Sequence, residues 1–539
     1  MKISVYTSCA LNYLPKARVL AESLACVEPR ASLTLCFNDV LPDWLDPATE
    51  PFDRIWLPED LGYDPGWIFQ HNVMELCTAV KGRALMRLIE QDEADLILYL
   101  DPDVMVYNPL SLVDEYMGDA SIGLVPHILA PEESEIGVEL TEISVAAHGV
   151  YNLGHLILRP DQRGRRFARW WAERLDRYCF DDRARGLFTD QRWVDLAPAI
   201  FEGVKILKVP NLDVASWNLF GRTVAQSQPG DAAAFTVDGY PLITYHFSGT
   251  GPTGTHRRIR EIFAPSNGAV AEIERLYEAA IARHGQARLE HRPPGFDFFD
   301  DATPLTPAAR RLYRQHADLR EAFPDPYACP AGQPNYRDWL RENRPGVIGG
   351  LRLAQHRLGH AYDDLFDPDY YLATYPEAAE AIAAGHFADS LDHYQRIGSR
   401  RFCDPNEFFV SSYYHEQALA HDPWPLSAHA GVREGTLLWH YLTTGLPAGI
   451  EPIEFFDSRW YLAQNPDLDA AFRLGRVSTP LAHFFRDGSR EGRDPGPDFH
   501  GGAYLEATPP ARDLSGSDGI RGAFGALVRL GGVAGRVTV

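Results

Sequence analysis

Runs of apolar residues alternate with helical spacing through the first hundred positions. Ile3-Ser4-Val5-Tyr6-Thr7 reads as a strand. Tyr13 to Cys26 then places Leu14, Ala17, Leu20, Ala21 and Leu24 on one helical face. Leu33 to Phe37 predicts a second strand ending at Asn38-Asp39, and Arg54 to Leu57 a short third. Met74 to Ile89 predicts a single helix carrying Leu76, Val80, Ala84, Leu85 and Leu88. Leu96 to Leu100 is a continuous apolar run, the pattern of a strand buried on both faces. This alternation predicts a mostly parallel α/β sheet.

Beyond Asp103 the pattern is more mixed. Ser121 to Val125, Val150 to Leu158, Val204 to Val209 and Leu242 to Phe247 read as strands, Phe167 to Tyr178 as an amphipathic helix, and a helix opens near Asp190. Gln286 to Gly350 is rich in proline and charge, a helical extension or packed linker. The C-terminal part resembles itself. Phe366-Asp367-Pro368-Asp369-Tyr370-Tyr371 matches Phe456-Asp457-Ser458-Arg459-Trp460-Tyr461, with a weaker copy at Phe409 to Tyr414. His393, His440 and His483 stand at equivalent places, followed by Gly398, Gly445 and Gly488. Such a period signals stacked helical units, with the glycines closing helices and the histidines making a recurring structural hydrogen bond. The division read from the sequence is 1–285 α/β domain, 286–355 extension, 356–500 about three helical repeats, and 501–539 a loosely ordered tail.

A chain of 539 residues exceeds one ordinary core. Its formal net charge of −23 argues against nucleic acid as a partner but leaves room for a local basic pocket. Seven scattered cysteines fit a reducing compartment. No signal peptide or transmembrane run is predicted, so a cytoplasmic location is expected, with the inner face of the membrane left open.

The candidate chemistry gathers at strand ends, where open sheets bind ligands. Asp101-Pro102-Asp103 follows the buried run, and a turn at Pro102 lets both carboxylates reach one divalent cation, though Asp and Pro are also ordinary turn residues. His246, at the end of a strand, is a candidate third ligand, and Ser248 and Gly249 offer backbone N–H groups to a phosphate. Thr7 and Ser8 follow the first strand and face a base or simply open a loop. Lys81 and Arg83 are candidate phosphate contacts or an exposed helix face. Asn152, in a turn flanked by Gly149 and Gly154, can bind sugar hydroxyls. Thr189 reads as a helix N-cap with Asp190 and Gln191 behind it.

In this order, Tyr99-Leu100-Asp101-Pro102-Asp103, Tyr151-Asn152-Leu153-Gly154, Asp190-Gln191 and His246-Phe247-Ser248-Gly249 resemble the nucleotide-sugar glycosyltransferases of the GT-A fold, particularly glycosyltransferase family eight and its bacterial relatives. The resemblance covers roughly residues 1 to 260 and implies a Rossmann-like, mixed central sheet. It further implies Mn²⁺ or Mg²⁺ on Asp101, Asp103 and His246, with the donor diphosphate. Lys81 or Arg83 would contact donor phosphate or sugar, and Asn152, Asp190 and Gln191 would line the transferred sugar. Asn211 to Asn218 looks like a loop bordering the acceptor. The implied reaction moves a sugar, expected from a UDP donor, to a glycan, lipid-linked or protein acceptor, with retention. A general-base role for Asp190 would instead invert the configuration. Peripheral membrane contact and association through the repeats stay open. Two other readings also stay open. One is a carbohydrate-binding scaffold with an inert α/β domain. The other is a sugar nucleotidyltransferase, which would want a glycine-rich loop that Ser8 to Tyr13 lacks.

Overall fold

In the computed structural model, Leu96–Leu100 is a fully buried strand at the centre of a seven-stranded sheet. The described residues are 1–91, 93–226, 235–248, 260, 262–264, 267–290, 292–344, 353, 357–419, 433–473, 475–515 and 522–532. They fall into two compact units, Met1–Asp297 and Phe298–Val539.

The strands of the first unit are β1 (Ile3–Cys9), β2 (Ser32–Phe37), β3 (Arg54–Trp56), β4 (Leu96–Leu100), β5 (Val104–Val106), β6 (Ile122–Pro126), β7 (Tyr151–Leu158), β8 (Asp181–Asp182), β9 (Leu187–Phe188), β10 (Val204–Ile206), β11 (Val214–Ala215), β12 (Val224–Gln226), β13 (Phe235–Val237), β14 (Tyr240–Pro241) and β15 (Thr244–His246). The main sheet runs β10-β6-β7-β4-β1-β2-β3. Its neighbours are parallel except β7, which is antiparallel to both β4 and β6. The sheet is therefore mixed, as the resemblance implied, and less uniformly parallel than the helix–strand alternation alone predicts. The reversal has a consequence. An antiparallel neighbour brings its first residues to the edge where parallel strands end, so Asn152 to Gly154 of β7 lie beside Asp101, with Leu100 opposite His155.

The apolar stretch after Asp103 leaves the main sheet. β5 pairs with β15, which also pairs with β11, and His246 stands opposite both Val104 and Ala215. Phe247 N–H donates to the Asp103 carbonyl at 2.8 Å, which ties His246 to the end of β4.

The stretch expected as one helix from Met74 to Ile89 is two, Val73–Ala79 and Lys81–Gln91. Asn72 and Glu75 cap the first through reciprocal bonds at 2.9 Å, a local start signal the helical spacing does not carry. The second packs against the helix Gln162–Tyr178 at Gly82, where a Cβ would come within 2.6 Å of the Ala172 Cα. The core gathers β1, β4 and the helix Leu14–Val27 around Val5, Leu20, Leu96, Leu98 and Leu100. Each fully buried side chain of that kind contributes roughly 1.5–3 kcal/mol. Leu289, in the short helix Gln286–Leu289, closes a second cluster with Leu14 and Leu35.

The second unit is helical. Tyr371 pairs with His393 at 2.9 Å, Tyr414 with His440 at 2.6 Å and Tyr461 with His483 at 3.0 Å. Gly398, Gly445 and Gly488 do not end helices in the left-handed conformation, contrary to the sequence reading. They leave room for these tyrosines: a Cβ at any of them would lie 2.0–2.2 Å from the partner hydroxyl. The stretch after Gly501, expected to be loosely ordered, carries the helices Gly501–Ala507, Pro509–Ser515 and Gly522–Arg529, and Phe524 joins the apolar core. Among the described residues no helix is long and apolar enough to cross a membrane.

Candidate active site

Asp101 follows β4, and its N–H donates to the Gly154 carbonyl at 3.0 Å. A tight turn follows, closed by Val104 N–H to the Asp101 carbonyl at 3.1 Å. The turn brings Asp101 and Asp103 to one spot. His246 Nε2 lies 3.2 Å from Asp103 Oδ1 and 3.6 Å from Asp101 Oδ2. Asp103 and His246 are buried, whereas the Asp101 side chain is 27% exposed, so the cluster opens to solvent on its Asp101 side.

The hydrogen bonds behind His246 fix its orientation. Its Nδ1 lies 3.2 Å from Asp213 Oδ1, which also lies 3.0 Å from His155 Nδ1. Asp213 N–H donates to Thr244 Oγ1 at 2.9 Å, and Thr244 Oγ1 in turn lies 2.9 Å from His155 Nε2. A carboxylate only accepts, so the contact with Asp213 needs the hydrogen on His246 Nδ1. Asn152 Nδ2 also approaches His246 Nδ1, at 3.2 Å, while its Oδ1 accepts Gly154 N–H at 2.8 Å. Nε2 of His246 is left facing two oxygens, so a positive charge belongs in that gap: a proton, or a cation in its place. Burial would lower His246, but Asp103 and Asp213 outweigh it and raise its pKa to about 10. Burial alone would raise Asp103 and Asp213, yet their histidine partners, together with Lys16 for Asp103, hold both well below the usual carboxylate range.

Two buried lysines back the carboxylates. Lys81 Nζ lies 2.8 Å from Asp190 Oδ2 and 3.5 Å from Asp101 Oδ1, and donates to the Leu153 carbonyl at 3.2 Å. It also stands 4.0 Å over the Tyr99 ring, whose hydroxyl donates to Asp101 Oδ1 at 2.7 Å. Burial opposes the Lys81 charge, but Asp101 and Asp190 outweigh it and its pKa is raised. Lys16, on the helix Leu14–Val27, places Nζ 3.7 Å from Asp103 Oδ2 and 3.8 Å from the Tyr13 ring centre.

The donor set suits a hard divalent cation: two carboxylates and one imidazole, with ligand atoms all within 4.8 Å of one another. The backbone beside it is cut to fit. A Cβ on Gly154 would lie 2.7 Å from Asp101 Oδ2 and 2.6 Å from His246 Cε1, filling the space beside the would-be ligands.

The other sequence candidates divide. Gln191 Oε1 accepts Leu153 N–H at 3.3 Å and its amide donates to the His148 carbonyl at 3.2 Å, next to Asn152. Asp190, not Thr189, flanks the helix Gln191–Val194, and neither side chain caps it. Thr189 stands at φ +43 and donates to Asp190 Oδ1 at 3.1 Å, so the capping role fails because the Asp190 carboxylate turns inward to Lys81. Arg83 is not brought to the cluster. Its guanidinium pairs with Asp176 at 3.0 Å and donates to the Gly62 carbonyl at 2.9 Å, since it lies on another face of its helix from Lys81. Ser8 Oγ donates to the Cys77 carbonyl at 2.6 Å and Thr7 is fully buried, so both hydroxyls point into the protein. Ser248 is half-buried just past β15, and Gly249 lies outside the described residues. Lys16 and His155 were not singled out from the sequence, and Asp213 only as part of the Asn211 to Asn218 loop expected to border the acceptor. His155 offered a signal, since a histidine inside a strand buried on both faces must find polar partners.

No family model matches the chain. Two uncharacterized proteins of Bacillus subtilis (strain 168) are similar to it. YfnF is 25% identical over 227 residues, 42% of this chain and 72% of that protein. YfnD is 25% identical over 178 residues, 32% of this chain and 53% of that protein. Among solved structures, the galactosyltransferase LgtC with donor and acceptor sugar analogues is 17% identical, covers 54% of this chain and 98% of its own, and superposes at a TM-score of 0.31. The glycosyltransferase GlyE of Streptococcus pneumoniae TIGR4 is 12% identical, covers 56% and 66%, at 0.29. Mouse xyloside xylosyltransferase 1 is 15% identical, covers 46% and 97%, at 0.27. Likenesses of this size carry no argument about the chemistry.

Proposed function

We propose that the first unit is a metal-dependent glycosyltransferase that moves a sugar, with retention, from a nucleoside-diphosphate donor to a glycan, lipid-linked or protein acceptor, and that the donor is a UDP-sugar. The observation that carries this reading is the meeting of Asp101, Asp103 and His246 at the open end of β4. These three residues would hold Mn²⁺ or Mg²⁺. Such an ion, when bound, neutralises charge that builds on a departing diphosphate.

The chain's own residues supply the rest. Lys81 keeps a buried positive charge beside Asp101, where a phosphate would gather. Ser248, with Gly249, offers backbone N–H groups to the same phosphates. Thr7 and Ser8 would border the base, with their hydroxyls turned inward. Asn152 and Gln191 present amides to sugar hydroxyls. Asp190 is buried with Lys81 Nζ 2.8 Å from its Oδ2, an arrangement that suits positioning the sugar. With retention, the leaving phosphate would take the acceptor proton. The helical unit would dock the acceptor or join copies of the chain, and the enzyme would work in the cytoplasm.

The test is a screen of nucleotide sugars for Mn²⁺-dependent hydrolysis by the purified chain. Turnover lost on Asp103→Ala without unfolding supports the enzyme, and turnover that ignores both metal and Asp103 rejects it. NMR of a fresh transfer product decides the stereochemistry: a β-linked product from an α-linked donor rejects retention.

A further inference from the structure

The helix Gln162–Tyr178 buries Phe167, Ala168, Trp171 and Leu175 on its inner side. Its outer side repeats arginine at helical spacing: Arg163, Arg166, Arg174 and Arg177 fall on one stripe with Trp170, and Arg169 borders it. Arg163, Arg166, Arg169 and Arg177 are exposed. Glu173 is the acid on this stripe, and Arg174 pairs with it at 3.3 Å. Asp176 faces the other way, towards Arg83.

The segment that follows lies alongside this stripe. The Trp193 ring stands 5.9 Å from Tyr178, and Phe201 stands 5.2 Å from Trp170. Arg166 reaches over Phe201 at 5.6 Å and Arg174 over Trp170 at 5.7 Å. Between those anchor points Leu196 is 47% and Ile200 46% exposed, and Tyr178 is 40% exposed. Past Phe201 and the exposed Glu202 the chain enters β10, the end strand of the main sheet, with Lys205, Ile206 and Lys208 exposed.

This concentration of cations belongs to a chain whose formal net charge is −23. We propose that this face docks on a bilayer surface containing anionic lipid. Charge complementarity selects an anionic partner. The apolar residues select a bilayer over a soluble polyanion. Leu196, Ile200, Tyr178 and the indoles of Trp170 and Trp193 gain from the headgroup–acyl boundary, where arginine stems also lie while their heads stay in water. A polyanionic chain would bind the arginines and leave those side chains in water.

The placement bears on the acceptor, and in that respect the inference rests on the proposed sugar transfer. The indole N–H of Trp171 donates to the Asp190 carbonyl at 3.3 Å, so the docking helix and the sugar-positioning residue are directly joined. A chain held at a bilayer by this face would meet a lipid-linked acceptor there.

The experiment is co-sedimentation of the full chain with phosphatidylcholine vesicles, with and without about 30% phosphatidylglycerol. The wild type is expected to bind the anionic vesicles and to be released by about 0.5 M salt. Arg166→Glu/Arg169→Glu/Arg177→Glu is expected to lower partitioning roughly tenfold or more. Leu196→Ser/Ile200→Ser is expected to weaken it at every salt concentration. Should the glutamate variant lose its cooperative melt, the three arginines are changed to glutamine instead. No binding to anionic vesicles, equal binding by the charge variant, or retention on heparin without vesicle binding overturns the proposal. Donor hydrolysis without vesicles is expected to be the same in wild type and charge variant. Loss of hydrolysis in every preparation, with vesicle binding intact, would reject the site chemistry and leave the docking face standing.

Discussion

Asp213 Oδ1 lies 3.2 Å from His246 Nδ1, on the side of the ring away from Asp101 and Asp103. The carboxylate therefore sets which nitrogen of His246 carries hydrogen and which faces the candidate cation site. Outer partners of this kind commonly change metal affinity 10–100-fold. Asp213→Asn is expected to weaken Mn²⁺ binding by about that factor. Pulsed EPR of bound Mn²⁺ separates orientation from charge. If Asp213 orients the ring, the ¹⁴N coupling of His246 is lost in the variant. A retained coupling with weaker binding would leave only an electrostatic role.

Gly154 tests the shape of the same site. Its missing Cβ leaves the space between Asp101 Oδ2 and His246 Cε1. Gly154→Ala is expected to reduce metal-dependent donor turnover at least tenfold, while the melting midpoint falls by only a few degrees. Unchanged turnover would mean that this space is not used.

Lys81 and Arg83 stand two positions apart but do different work. Arg83→Met breaks the pair with Asp176 and is expected to lower stability slightly, as partly exposed pairs contribute about 0.2–1 kcal/mol. Lys81→Met leaves Asp190 and Asp101 facing each other without their buried cation, and is expected to abolish donor turnover. Equal kinetic effects of the two substitutions would contradict the assignment.

In the helical unit, Gly445 and Tyr414 form a size-matched pair. Tyr414→Phe removes the 2.6 Å bond to buried His440 and is expected to cost about 0.5–1.5 kcal/mol. Gly445→Ala pushes a methyl group into the same hydroxyl. Chemical denaturation of the two single variants and the double should show a combined cost below the sum, because they share one contact.

Glu451 gives the unit a pH signature. Its carboxylate accepts Tyr441 O–H and Ser458 N–H, each at 3.0 Å, and burial raises its pKa to about 7. A raised carboxyl contributes stability that is complete below the unfolded-state value near 4.3 and is lost as the pH rises through 7. Glu451→Gln mimics the protonated form. Its melting midpoint is expected to match the wild type near pH 4 and to exceed it above pH 7, and a pH-independent difference would contradict this.

The sequence made the strand ends legible because carboxylates and glycines interrupt otherwise apolar runs. Asp101, Asp103, Asn152 and His246 were found that way and Asp190 at the opening of a helix, and the fold gathers them. The partners behind them were not legible. Lys16 sits within an amphipathic helix and reads as its polar face, yet it reaches Asp103 across 87 positions. Asp213 reads as a loop residue until β11 and β15 pair and bring it to His246. The break between Val73–Ala79 and Lys81–Gln91 was hidden because Val80 keeps helical angles, φ −66 and ψ −20, through the junction. Long-range ion pairs and helix junctions of this kind leave no local period to read.

The most direct measurement of the central claim is an EPR titration of Mn²⁺ in the presence of UDP, with wild type and the Asp101→Asn/Asp103→Asn variant. One bound Mn²⁺ per chain is expected for the wild type, and none at the same concentrations for a variant that still melts cooperatively. Equal Mn²⁺ binding by the two proteins, or no binding by the wild type, would contradict a cation site built on Asp101, Asp103 and His246.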